Sequence, residues 1–326
     1  MRKSVIRAIL DSGNDFISGE QLSKELGISR TAVWKHIKIL KEEGYNIESV
    51  NKKGYRLVET PNDILKPDNI YHNLPTEFIG KRVIHFDTIS STNDYAKEIG
   101  NKVNGGTLII SEEQTKGKGR LGKAWQSKAG DGVWMSLIIK PKIEPFRAPF
   151  LTLVAGASIV KALSNLGVET SIKWPNDIII NNKKLCGVLT EMSAEMERVN
   201  YVVIGIGLNV KTMDFPNEIK DKATSLYKEG YDYISRVDIV KQICIEFEKL
   251  YKGYILDGNK KDILDICRMH SPIINKQVYL LKNNKKELVK CIDINDNGNL
   301  IIKDKNGHIK EIMSGEISIR GVKGYV

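Results

Sequence analysis

Several kinds of chemistry are missing from this chain. Its four cysteines, at 186, 244, 267 and 291 of 326 residues, stand far apart. None has the close spacing of a zinc or iron–sulfur ligand set, and scattered thiols predict a reducing, cytoplasmic setting rather than a disulfide framework. The five histidines (36, 72, 85, 270 and 308) are equally dispersed. No convincing Ser/His/Asp or Cys/His triad emerges from them. Long apolar runs are absent too: stretches such as Tyr201–Ile206 are far too short to span a bilayer, so no membrane association is expected. The chain opens Met-Arg-Lys-Ser-Val-Ile and meets charge at once, which predicts no signal peptide.

What remains is an ordinary globular composition, 41% hydrophobic and 28% charged, with length for two or three domains. The net charge of +10 favours a polyanionic partner. Lysine-rich sequences also arise from genome bias, so the placement of the charge carries more weight than its sum.

Residues 1–62 read as a small helical domain ending in a hairpin. Val5, Ile6, Ile9 and Leu10 have helical spacing. Ser18 and Gln21 form a capping-box signature for a helix bearing Leu22 and Leu26, with Gly27 as its stop. Ser29 caps a second helix, Arg30 to about Glu43, which buries Val33, Ile37 and Leu40. The short turn between them is helix-turn-helix geometry. Two strands, Tyr45–Val50 and Tyr55–Val58, flank the tip Asn51-Lys52-Lys53-Gly54 and make a basic wing. Residues 1–60 hold 11 basic and 8 acidic side chains, a net of only +3, but the second helix shows no acid before Glu42. Ser29, Arg30, Thr31, Trp34, Lys35 and Lys38 are the expected DNA-binding residues of that helix. Lys52, Lys53 and Arg56 are expected to reach phosphates from the wing.

Residues 61–66 with Pro67 read as a linker. From 67 to 270 the chain alternates strands and helices in antiparallel-looking clusters, which predicts an α/β domain with a mixed sheet. The helices are expected at Thr92–Ile99, Phe150–Leu166 and Val237–Tyr251. Residues 271–326 carry five short strands separated by the turn signals Asn283-Asn284, Asp296-Asn297-Gly298 and Lys305-Asn306-Gly307. They predict a small β-barrel. The fold class is therefore α+β and multidomain: a winged helix-turn-helix, a mixed-sheet catalytic domain and a C-terminal β-barrel.

The stretch Gln114-Thr-Lys-Gly-Lys-Gly-Arg-Leu-Gly-Lys-Ala-Trp125 concentrates the functional signal. Three glycines give it freedom to fold closely around a ligand, and four cations with no acid suit an anion such as phosphate. Gly117-x-Gly119-x-x-Gly122 satisfies the dinucleotide fingerprint, and Gly117 to Lys123 most of the Walker A pattern. Both patterns need a helix to follow, and here a turn-rich stretch and a strand follow instead. Ala124 also stands where a Walker motif needs Ser or Thr. A plain surface loop remains as the bland alternative.

Further strings complete the set: Ser91-Thr92-Asn93, Val133-Trp-Met-Ser-Leu137, Lys173-Trp-Pro-Asn-Asp177, Lys183-Lys-Leu-Cys-Gly187 and Gly205-Ile-Gly-Leu-Asn209. With the basic loop and in this order they resemble biotin–protein ligase over nearly the entire chain. With the N-terminal winged helix they resemble the bifunctional ligase that also represses biotin operons, in which the C-terminal barrel is Src-homology-3-like. The resemblance implies a cytoplasmic enzyme that joins biotin to MgATP as biotinyl-5′-adenylate. It then passes biotin to a lysine of a biotin carboxyl carrier protein, as a biotin–[acetyl-CoA-carboxylase] ligase does. It also implies a homodimer that binds operator DNA with the adenylate as corepressor.

Carried over residue by residue, the resemblance places Ser91, Thr92, Asn93, Gln114, Lys118, Gly119, Arg120 and Lys184 around biotin. Lys118, Arg120, Trp125, Lys173, Asn176, Asp177 and Asn209 fall around ATP or the adenylate, with Asp177 near Mg²⁺. Arg120, Lys173 and Lys184 are the expected catalytic cations, since two anions must be brought together and developing charge stabilised. Lys118 departs from the family's more usual arginine and loses its planar fork. Trp134, Leu189 and Ile206 are candidate pocket walls or core. Residues 211–226 are expected to order over adenine as a second loop. A ligand sensor without catalysis, a lipoate ligase and an enzyme whose N-terminal domain has lost DNA binding are the competing readings.

Overall fold

The computed structural model describes residues 5–325 apart from 7, 10, 11, 13, 14, 43, 60–62, 283, 284, 315, 316 and 322–324. Leu10, Glu43, Asn283-Asn284 and the first two residues of the expected linker lie outside the described residues. The chain divides into two compact units, Met1–Leu74 and Pro75–Val326.

The first unit is built around Val5, Ile6, Ile9, Leu22, Val33, Ile37, Leu40 and Ile47. Its helices run Gly19–Leu26 and Arg30–Glu42. Ser18 Oγ accepts from the Gln21 amide at 3.0 Å, and Ser29 Oγ from the Ala32 amide at 3.1 Å, so both expected caps form. The reciprocal half of the capping box is replaced: the Gln21 side chain donates forward to Glu25 at 3.0 Å. Strands β1 (Asn46–Val50) and β2 (Gly54–Glu59) pair antiparallel as the wing. Ile17 and Tyr55 exchange two 2.9 Å backbone hydrogen bonds, which ties the wing to the chain before the first helix. A Cβ at Gly54 would lie 2.1 Å from the Ile17 carbonyl oxygen, so the close approach needs glycine there. Pro67, expected to end a linker, starts a short helix, Pro67–Tyr71, whose Asn69 accepts from the Tyr45 hydroxyl at 3.1 Å.

The second unit holds a seven-stranded sheet in the order β3-β4-β5-β9-β8-β7-β6. The strands are β3 Arg82–Ile89, β4 Thr107–Gln114, β5 Gly132–Ile139, β6 Ser171–Lys173, β7 Asp177–Ile180, β8 Lys183–Ala194 and β9 Val199–Asn209. Only β3 and β4 are parallel, so the sheet is mixed as expected. Helix Thr92–Ile99 covers it through Ala96, packed with Ile109, Ile138 and Val203. Helix Phe150–Asn165 is apolar on nearly all sides, and most of its residues are buried. The stretch Pro145–Asn165 is long and apolar enough to cross a membrane on composition alone, but here it is a core element. Helix Arg236–Leu256 packs beside it, and its Glu248 accepts from the amides of Glu77, Phe78 and Ile79 at 2.7–2.9 Å. Helix Lys261–Met269 was not anticipated from the sequence, although Ile263, Leu264 and Cys267 have the burial spacing of one.

The last five strands, β10 Gln277–Lys282, β11 Lys285–Ile294, β12 Leu300–Lys303, β13 Ile309–Ile312 and β14 Ser318–Gly321, form an antiparallel sheet in the order β13-β12-β11-β10-β14. Strand number and direction agree with the expected barrel. Among the described residues the sheet is open, with β13 and β14 at its edges. All four cysteines are free and buried, and burial pushes the thiols of Cys244, Cys267 and Cys291 up to about 12.

Candidate active site

A cavity of about 450 Å³ opens in the second unit, and all thirteen residues expected around biotin and ATP line it. Its two ends differ in chemistry, because different elements feed them.

The first end is neutral and polar. Ser91 caps helix Thr92–Ile99, accepting from the Asp94 amide at 3.3 Å, and so presents Thr92 and Asn93 toward the sheet. Gln114, at the end of β4, accepts from the Thr92 amide at 2.8 Å and the Thr92 hydroxyl at 3.0 Å. Ser136 of β5 lies between Thr92 and Asn93, 2.8 and 2.6 Å from their side-chain oxygens. Asn93 donates to Glu191 of β8 at 2.8 Å. The side chains are therefore pre-aimed by one another before any ligand arrives. Ser136 was overlooked in the sequence, although it interrupts an otherwise apolar strand.

The register of the central strands explains the Gly205-Ile-Gly207 string. Ser136, Gly205 and Leu189 form one row across β5, β9 and β8, and Trp134, Gly207 and Gly187 the next row on the same face. A Cβ at Gly205 would stand 2.2 Å from Asn93 Oδ1, and one at Gly207 would stand 2.6 Å from Trp125 Nε1. The missing side chains let Asn93 and Trp125 lie directly on the strand. The Trp125 indole N–H has no hydrogen-bond partner among the described residues and borders the cavity. Trp134 is core and not wall: it is 1% exposed and donates to the Lys128 carbonyl at 3.1 Å. Leu189 and Ile206 do line the cavity.

The other end is charged. Lys173 ends β6 and Asp177 begins β7, directly opposite across the Trp174-Pro175-Asn176 turn, whose Trp174–Pro175 peptide is cis. The Lys-Trp-Pro-Asn-Asp string is thus a hairpin that sets a cation against a carboxylate. Lys184 of β8 pairs with Asp177 at 2.6 Å and lies 5.1 Å from the Trp125 ring centroid. Arg120 donates to Asn176 at 2.8 Å and to the Ile317 carbonyl at 3.3 Å. Burial pulls Lys173, 3% exposed, down to about 7; Asp177 opposes the shift, while Arg320 and Lys184 add to it. Burial would push the Asp177 carboxyl up, but Lys184 and the Tyr325 hydroxyl outweigh it and hold it below the usual aspartate range. Burial also draws Arg120 down against the pull of Asp177; a guanidinium stays charged regardless.

The basic loop is an irregular hairpin closed by Gln114 to Ser127 and Trp125 to Gly117 backbone bonds, both 2.9 Å. A single 3₁₀ turn, Arg120–Gly122, forms its tip. No α-helix follows, so the phosphate-motif readings fail on the fold as they did on the sequence. Its glycines serve the hairpin more than the ligand: Gly122 takes φ +70°, and a Cβ at Gly117 would meet the Trp125 carbonyl oxygen at 2.4 Å. Lys118 lines the cavity, but its ammonium pairs outward with Asp94 at 2.6 Å, which Lys97 also holds at 3.2 Å. Lys97 continues to Glu191 at 2.7 Å, so a chain of charges ties the loop to β8. Residues 211–226 border the cavity through Thr212, Phe215 and Ala223. This segment is held by Lys184 to Lys222 and Thr224 to Lys184 backbone bonds of 2.7 and 2.9 Å and by the Asn209 side chain on the Thr224 carbonyl at 3.0 Å.

In the first unit Ser29, Arg30, Thr31, Trp34, Lys35 and Lys38 are all exposed on one helix, and Lys52 and Lys53 are exposed at the wing tip. Arg56 differs, because Glu48 across the wing takes its guanidinium at 2.5 Å.

Known proteins resemble the chain in every part. The biotin/lipoate A/B protein ligase family matches residues 85–209, a helix-turn-helix domain residues 2–56, and a biotin protein ligase C-terminal domain residues 273–320. The bifunctional ligase/repressor BirA of Bacillus subtilis (strain 168) is 42% identical over 98% of both chains. The protein of that name from Escherichia coli (strain K12) is 30% identical over 97% of this chain and 96% of its own. Among solved structures, biotin protein ligase from Aquifex aeolicus in complex with biotin and ATP matches with a TM-score of 0.65 at 32% identity, covering 74% of this chain and 99% of that one.

Proposed function

This chain belongs to the biotin protein ligases, in the group that carries a helix-turn-helix repressor domain, and on that premise we propose how its cavity works. It is a ligase that uses ATP to join biotin to a carrier protein of the acetyl-CoA carboxylase type, and a repressor. We assign residues 1–62 to DNA binding, 67–270 to catalysis and 271–326 to a C-terminal domain.

The observation that carries the reading is the polarity of the cavity, neutral hydrogen-bonding groups at one end and Arg120, Lys173 and Lys184 at the other. Biotin is an uncharged bicycle on an apolar tail that ends in a carboxylate. Ser91, Thr92, Asn93 and Gln114 suit its ureido group, Leu189 and Ile206 its tail, and the cations its carboxylate and the nucleotide phosphates. A carboxylate oxygen of biotin attacks the α-phosphorus of ATP, and pyrophosphate leaves. Arg120 and Lys173 offset the repulsion between the two anions and the charge that develops at phosphorus. The lysine amine of the carrier then attacks the acyl carbon, losing a proton as AMP departs. Asn209 and residues 211–226 lie on the nucleotide side, and Trp125 and the basic hairpin cover the mixed anhydride against water.

Mg²⁺ fits as an ion brought by the nucleotide. Asp177 supplies a carboxylate at the cationic end, and among the described residues no group of three His, Cys, Asp or Glu is gathered to hold a metal unaided. The enzyme works in the cytoplasm, and the adenylate promotes a homodimer that sets two recognition helices on a palindromic operator.

Biotin-dependent exchange of labelled pyrophosphate into ATP, followed by label transfer to a carrier domain, tests the catalytic reading. Binding without exchange would make the chain a sensor, and preferential use of lipoate would make it a lipoate ligase. Operator affinity unchanged by biotin plus ATP would remove the coupling.

A further inference from the structure

The cationic end of the cavity is filled from an unexpected direction. Tyr325, next to last in the chain, is 8% exposed and lines the cavity. Its carbonyl oxygen accepts from Lys173 Nζ at 2.7 Å. Its ring centroid lies 3.5 Å from the same ammonium and 5.1 Å from the Arg320 guanidinium carbon. Its hydroxyl donates to Asp177 Oδ2. One residue thus engages the cation and the carboxylate that the Lys-Trp-Pro-Asn-Asp hairpin sets face to face. Among the described residues the other end of the cavity has no such occupant: its polar groups bond to one another within the domain's own sheet and helix.

We propose that Tyr325 is a built-in occluder of the phosphate subsite, which ATP must displace before the nucleotide can bind. The inference rests on Lys173 and Asp177 being the nucleotide-side residues of the ligase reading. A phosphate oxygen approaching Lys173 Nζ meets the place that the Tyr325 carbonyl and ring now hold. The exchange runs in favour of the nucleotide, because a hydrogen bond from an ammonium to an anion is stronger than one to a neutral carbonyl. Until then the tyrosine supplies the buried Lys173 ammonium with a hydrogen-bond acceptor, and it withdraws the site from stray anions. Biotin, whose ureido group sits at the neutral end and whose carboxylate is met by Arg120 and Lys184, has no need to move it.

An occluder lowers apparent affinity by the fraction of molecules in which it is out, so removing it tightens binding by that factor. Fluorotyrosine is placed at position 325 of the intact protein, and its ¹⁹F resonance is followed alone, with biotin, and with the α,β-methylene analogue of ATP. The Kd of that analogue is then compared between wild type and Tyr325→Ala. The proposal expects the resonance to move to the solvent-exposed position with the analogue and to stay in place with biotin, and the Kd for the analogue to fall by roughly three- to tenfold in Tyr325→Ala. A resonance that stays buried with the analogue, or weaker or unchanged nucleotide binding in Tyr325→Ala, overturns it and makes the tyrosine a wall of the nucleotide site or a bystander. If the intact protein takes up neither biotin nor the analogue, the ligase reading itself has failed and this inference with it. If it binds both and Tyr325 is indifferent, only the occluder is lost.

Discussion

Lys173 is the residue whose environment most changes its chemistry. With its amine near 7 in the free enzyme, only the protonated form below that value presents a cation to phosphate. The kcat/KM for ATP in pyrophosphate exchange should therefore fall as pH rises through about 7. The kcat should be flatter, because bound phosphate returns the proton. In Lys173→Arg the falling limb should vanish, since a guanidinium stays charged; a limb unchanged in that variant would assign it to another group. Gly205 tests the opposite end. A methyl there collides with Asn93 Oδ1, so Gly205→Ala should raise the KM for biotin by roughly ten times, about one lost hydrogen bond, and shift that for ATP much less. Equal effects on both substrates would show that the domain, rather than the biotin end, was disturbed. The string Gly205-Ile-Gly207 was plain in the sequence, but its reason was not, because the partners Asn93 and Trp125 come from distant segments and only strand register sets them on those glycines.

At the scale of elements, helix Arg236–Leu256 fastens the start of the second unit. The Glu248 carboxylate takes three successive amides, and Lys252 stands 3.6 Å away. Burial works against this charge, yet the amides and the lysine prevail and hold its pKa below the ordinary 4.5. A carboxyl with a depressed folded-state pKa stabilises the fold above its unfolded value, and that contribution is lost as pH falls through the folded value. Glu248→Gln should lower stability by about 1–3 kcal/mol near neutral pH. Urea midpoints of wild type and variant should converge as the pH drops below 4.5; a gap that persists in acid would point to packing instead. Element positions were largely legible: Thr92–Ile99 runs as the sequence predicts. Helix Lys261–Met269 was missed because it is short, although the Asn259 side chain accepts from the Asp262 amide of its first turn at 3.4 Å. The role of Glu248 was invisible, since it acts on amides about 170 positions away.

At the scale of the whole molecule, the exposed Arg30, Thr31 and Lys35 on one helix and the exposed Lys52 and Lys53 at the wing tip support the proposal that the first unit holds DNA partly through phosphate charge. Each wing-tip lysine replaced by alanine should reduce the slope of log affinity against log salt by roughly 0.9 if it contacts a phosphate. Arg56→Ala should change it less, because Glu48 already neutralises that guanidinium. Operator titrations over a salt series separate the two. A full unit lost on removing Arg56 would mean that the pair with Glu48 opens on DNA.

The division of labour between sequence and fold is clear in the cavity. Local spacing was enough to place most elements and the winged helix, because caps, alternation and turn residues act over a few positions. Tertiary structure alone decided which charges meet. It turned Lys118 outward to Asp94, placed Asp177 under Lys184, and brought Tyr325 from the far end of the chain onto Lys173. Such pairings depend on distances through space between residues as much as 152 positions apart, which no local pattern records. The basic hairpin at 114–125 owes its charge to the sequence and its shape to the fold.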